Sequence, residues 1–106
     1  MAKYLIQASY VGEGVKGLLK DGGTVRQAAV EKLAKSVGGT VEAFYYAFGE
    51  SDLYIIGDFP DNAAVAAVAL TVNASGSATC KTTVLLTPAE IDAAAKKAPS
   101  YSPPGQ

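Results

Sequence analysis

The chain has 106 residues, 49% of them apolar and 18% charged, which is enough for one small core and too apolar for intrinsic disorder. Its net charge of −1 comes from acids and bases scattered singly, so the basic stripe that neutralises nucleic-acid phosphates is missing, and Lys96-Lys97 reads as the decorated end of a helix. One cysteine and no histidine exclude an intramolecular disulfide framework and a multi-thiolate metal site.

No run approaches the ~20 apolar residues of a membrane span. Met1-Ala2-Lys3 leads straight into a strand pattern rather than a signal-peptide core, so the expected compartment is the cytoplasm. Neither a nucleic acid, a membrane nor a cofactor is expected as a partner.

The first predicted strand runs from Lys3 to Val11, with Tyr4, Ile6, Ala8 and Tyr10 on one face and Leu5, Gln7, Ser9 and Val11 on the other. Gly12, Gly14 and Gly17 then break the pattern, leaving Val15, Leu18 and Leu19 at most a short apolar turn before Gly22-Gly23. Thr24 is the predicted N-cap of an amphipathic helix carrying Val25, Ala28, Ala29, Leu33 and Val37 on its apolar side, closed by Gly38-Gly39.

Thr40–Phe48 and Asp52–Phe59 read as two strands joined by a hairpin at Gly49-Glu50-Ser51. The Leu53-Tyr54-Ile55-Ile56 run predicts a central strand buried on both faces. Asp61 caps a helix to about Ala74 that carries no charge after its cap, which predicts cover over most of its circumference. Ala78–Thr87 is the last strand. Thr87-Pro88-Ala89-Glu90 combines a capping hydroxyl, a proline at the first helical position and a glutamate placed to reach back to the cap, and opens a short helix to Lys97.

The order strand, helix, strand, strand, helix, strand predicts an α+β, ferredoxin-like βαββαβ domain. Its antiparallel sheet carries the helices on one face, with an added C-terminal helix. The domain spans residues 1–98, and 99–106 form a Pro/Ser-rich tail. Nothing in the chain covers the second sheet face, so self-association into a homodimer or higher oligomer is expected.

Few residues offer chemistry. Cys80, mid-strand among threonines, reads as a small core filler, because a reactive thiol needs a neighbouring cation or helix start. Gly12-Glu13-Gly14-Val15-Lys16-Gly17 has neither P-loop nor dinucleotide spacing and reads as a flexible loop. Asp52 is either a buried general base or, as hairpin aspartates more often are, a partner of the turn's own amides. Tyr45, Tyr46 and Tyr54 read as sheet and interface residues, and Lys81 points either into a cleft or to solvent.

The best ligand-binding candidates are Tyr10 and Arg26. Tyr10 lies near the end of the first strand, and the glycine-rich segment follows it. Arg26 sits in the predicted first turn of a helix, where dipole and free amides favour a small carboxylate or phosphate; the alternative is a surface pair with Glu31 or Asp21.

The strand-one opening, the run Phe44-Tyr45-Tyr46-Ala47-Phe48-Gly49-Glu50-Ser51-Asp52 and the exit Asp58-Phe59-Pro60-Asp61 into an Ala-rich helix resemble the GYD-domain family, as does the stretch from Thr79 to Glu90. Gly49 and Asp52 match the family's Gly-x-Tyr-Asp pattern, whereas Ser51 stands where tyrosine is usual. The resemblance implies a dimeric α/β-barrel protein of a family mostly without assigned activity. The function expected is that of a non-enzymatic small-molecule-binding or scaffold module. The alternative is a cofactor-independent, monooxygenase-like enzyme acting in a cleft between sheet and helices, an analogy at the level of fold.

Overall fold

Strand alternation decides which side of this protein becomes its core. In the computed structural model, which describes residues 1–106, Tyr4, Ile6 and Ala8 of β1 (Ala2–Tyr10) are buried, whereas Leu5, Gln7 and Ser9 between them are only half-buried. Leu53, Ile55 and Phe59 of β3 (Leu53–Phe59) continue the same buried layer. With β2 (Thr40–Tyr46) and β4 (Ala78–Leu85), the sheet has the order β2-β3-β1-β4 and every pairing is antiparallel. Two central strands and two edges in this order are the ferredoxin-like α+β arrangement, and the sheet remains open within the chain.

Two helices lie on the core face: α2 (Gly23–Ser36), which supplies Ala34, and α3 (Asn62–Ser75), which supplies Val65 and Val68. At the centre the Tyr4 and Phe59 rings meet edge to face, 5.8 Å apart and 74° inclined. The Tyr4 hydroxyl reaches past them to donate to Asn62 Oδ1 and pins the start of α3. Asp61 caps that helix by accepting from the Ala64 amide at 2.8 Å. The end of α2 is closed by the amides of Gly38 and Gly39, which donate to the carbonyls of Lys35 and Ala34 in a Schellman motif.

Several expectations need correction. The segment read as a flexible loop is a nine-residue helix, α1 (Glu13–Asp21), with Gly14 and Gly17 inside it. Its glycines punctuate at the ends instead: Gly12 and Gly22 adopt φ of 44° and 83°, conformations a side chain would resist. Gly22 therefore takes the N-cap position assigned to Thr24. The α2 helix starts earlier than predicted, and Arg26 becomes its fourth residue.

The strand β3 is not buried on both faces; Tyr54, Ile56 and Asp58 are half-buried, because this chain covers only one side of the sheet. Nor is α3 covered on most of its circumference, since Val65 and Val68 alone are buried and Leu70 is 71% exposed. The hairpin is longer than three residues. Strand pairing stops at Tyr46 and Leu53, and the Ala47 amide closes the loop on the Asp52 carbonyl at 2.9 Å.

A final helix, α4 (Pro88–Lys97), carries the complete capping box expected at Thr87 and Glu90, and none of it is buried. No helix is long and apolar enough to cross a membrane.

Candidate functional site

The helices do not close over the sheet. The α2 helix packs over the edge strand β2 and α3 over the opposite edge, β4, without packing closely on each other. Between them, above the central strands, lies a cavity of about 260 Å³. Its floor is Ile6, Ala8, Leu53 and Ile55; one wall is Val30 and Leu33 of α2, and the other Val68 and Val72 of α3. Fifteen of its nineteen lining residues are apolar and Arg26 is the one charged side chain, so the space suits a ligand with a mostly apolar body.

Polar groups gather at one end. Tyr10, Arg26 and Ser77 line the cavity and also a second cleft beneath α1, together with Glu13, Gly14, Gly17 and Asp21. They form the boundary between inside and outside, which is the mouth. The geometry thus brings Tyr10 and Arg26 together, and places the Gly12–Gly23 segment over them.

Tyr10 is held there by two strands. Its side chain shares the core face of β1 with Tyr4, Ile6 and Ala8, and its amide donates to Asp52 Oδ2 at 2.9 Å while the Asp52 amide donates to Ala8. The Asp52 carboxylate therefore bonds the neighbouring strand rather than the amides of its own turn. The Tyr46 phenol lies beside this group and donates to the Gly23 carbonyl at 3.0 Å. Partial burial pushes the Tyr46 phenol above its ordinary range; the adjacent Tyr10 phenol adds to the push and Arg26 opposes it. Two phenols and one guanidinium share this corner.

Arg26 is half-buried and makes no ion pair with Asp21 or Glu31. Its guanidinium is available to an anionic group entering the mouth. Cys80 also lines the cavity, and burial pushes its thiol up, so it stays protonated at neutral pH and is a weak nucleophile. Lys81 lies outside the site on the opposite sheet face, paired with Glu50 at 3.6 Å.

The sequence reading missed Thr71, Ser75 and Ser77, which add hydroxyl groups to the lining. The signal was available: Thr71 and Ser75 are one turn apart on a helix made mostly of Ala and Val, so they mark polar positions on one side of α3. Ser75 Oγ lies 2.7 Å from Ser77 Oγ and donates to the Val72 carbonyl at 2.6 Å, which ties the end of α3 to the start of β4.

The opposite sheet face is mixed rather than uniformly apolar. Leu5, Ile56 and Ala43 form a row across its centre beside the Tyr45–Tyr54 pair, and charges flank them. At one end Lys3 Nζ sits 3.0 Å from Asp58 and 3.1 Å from Glu42, which hold the ammonium above its usual range. At the other is the Lys81–Glu50 pair. The face thus has an apolar centre and a charged rim.

The chain belongs to the GYD-domain family, whose model matches residues 4–95, and the resemblance read from its residues is thereby confirmed. Among solved structures it is similar to a protein of unknown function from Nitrosomonas europaea, at 22% identity over 81% of this chain and 90% of that one, with a TM-score of 0.43. No curated protein matches it.

Proposed function

We propose that the protein is a homo-oligomeric, non-enzymatic binding module for a small amphipathic anion. The apolar part of the ligand lies between α2 and α3, and its carboxylate or phosphate meets Arg26 at the mouth. The observation that carries this reading is the cavity itself, an apolar space whose single charged lining residue is an unpaired guanidinium at the entrance. Arginine suits the task because its planar fork matches carboxylate and phosphate oxygens two at a time.

Support goes to binding rather than to turnover. The nucleophile candidate, Cys80, is held as a thiol, and Asp52 is engaged with the Tyr10 amide. A free, half-buried cysteine also fits a reducing setting such as the cytoplasm. The sheet face away from the cavity supports self-association, with Leu5, Ile56 and Tyr54 meeting their counterparts in a second copy.

A thermal-shift screen of octanoate, octyl phosphate and octylamine against wild type and Arg26→Ala tests the proposal. The two anions should stabilise the wild type; at a hundred times its dissociation constant a ligand contributes about 2.7 kcal/mol. Octylamine should not, and Arg26→Ala should lose most of the shift. An equal response to the amine, or a shift that survives in Arg26→Ala, would refute the site.

A further inference from the structure

The molecule measures 58 × 32 × 23 Å and its radius of gyration is 17.0 Å, whereas a compact chain of this length has about 13 Å. The C-terminal arm accounts for the excess. All of α4 is exposed, including Ile91, and Val84 and Leu86 leading into it are more than half exposed. Yet α4 is a well-made helix, with a reciprocal capping box and proline at its start and Lys96 and Lys97 at its end. Ile91, Ala94 and Ala95 fall on one face at three- and four-residue spacing. It is a helix with an apolar face and nothing in its own chain to put against it.

The same chain holds an exposed apolar groove. Val15 and Leu18 of α1 face Tyr46 and Phe48 of the β2–β3 hairpin across a gap of about 480 Å³, and Phe48 is entirely exposed. Groove and arm lie at opposite ends of the sheet. The groove includes Tyr10, opposite Ala78 at the start of β4, while α4 follows Leu85, opposite Lys3. Eight strand residues separate those ends by about 25 Å at ~3.3 Å per residue. The helix α4 is about 15 Å long at 1.5 Å per residue and hangs on the short Leu86-Thr87 link, so it cannot fold back into its own groove.

We propose that the α1–hairpin groove receives α4 of a second copy of this chain. When two open sheet faces meet about a two-fold axis running across the strands, the arm end of each copy meets the groove end of the other. Both arms are then used and the contact closes as a dimer. Ile91 enters between Phe48 and Leu18 in the manner of a helix in a groove. This arrangement rests on the self-association proposed above and adds to it which elements are exchanged.

The test is a cross-link in a Cys80→Ser background. Phe48→Cys and Ile91→Cys single variants are co-refolded as a mixture and oxidised, and the doubly substituted chain is treated in parallel. The expected result is a covalent dimer from the mixture, joining one chain of each kind, and a doubly bridged dimer from the double variant. As an independent readout, Ile91→Asp should raise the dimer dissociation constant at least tenfold in sedimentation equilibrium. A bridge within a single chain overturns the proposal. So does a protein that sediments as a dimer without cross-linking, which would leave the sheet-face contact standing. A monomer at all concentrations overturns both.

Discussion

Gly14 and Gly17 are three residues apart in α1, yet opposite effects are expected from the same substitution. A methyl group at Gly14 would collide with the Ser77 carbonyl oxygen, the group that already accepts the Val11 amide at 3.0 Å. At Gly17 it would meet nothing within 4 Å. Gly14→Ala should therefore cost about 1–3 kcal/mol through overpacking against backbone, and Gly17→Ala should gain up to about 1 kcal/mol from helix propensity. Urea midpoints of the two variants test this, and equal shifts would show that α1 does not seat on Ser77. Both glycines look alike in the sequence, where each reads as a helix breaker, because what separates them is a neighbour more than sixty positions away. That Tyr10 and Arg26 lie near each other was legible: strand alternation puts one at the end of the core face, and the Gly12–Gly23 segment, here α1, returns the chain to set the other beside it. Thr71 and Ser75 were legible only as polar positions one turn apart on α3; that they and Ser77 line the cavity depends on α3 leaning over β4 and away from α2.

At the scale of elements, the strands and their order were legible because alternation and turn chemistry are local signals. Burial was not. The Leu53-Tyr54-Ile55-Ile56 run and the aliphatic α3 both promised cover on all sides, and a single chain supplies it on one. The cap of α4 was read correctly, from a motif that needs only four residues. Because α4 packs on nothing in its own chain, Thr87→Ala should act locally: losing about 1 kcal/mol of capping reduces amide-exchange protection in the first turns of α4 about fivefold. Unchanged protection there would mean the cap does not hold the helix. Ser100–Gln106 is exposed throughout, so its deletion should leave the melting temperature within a few degrees of wild type. A larger drop would make the tail a structural strap.

The whole molecule presents two features that invite a partner, an apolar cavity on one side of the sheet and an apolar-centred face on the other. Burying even 800 Å² of apolar surface in that face contributes on the order of 20 kcal/mol before association costs, at ~25 cal/mol per Å². Light scattering at micromolar concentration should therefore give at least twice the chain mass of 10.8 kDa; a monomer mass would contradict the interface. The cavity is the claim on which function rests, and methyl-labelled NMR during an octanoate titration tests it most directly. The account predicts that the methyl signals of Val30, Leu33, Ile55, Val68 and Val72 shift together and saturably, while those of Leu5, Ile56 and Leu85 on the opposite face stay still. Shifts confined to the opposite face, or none at any concentration, would contradict it.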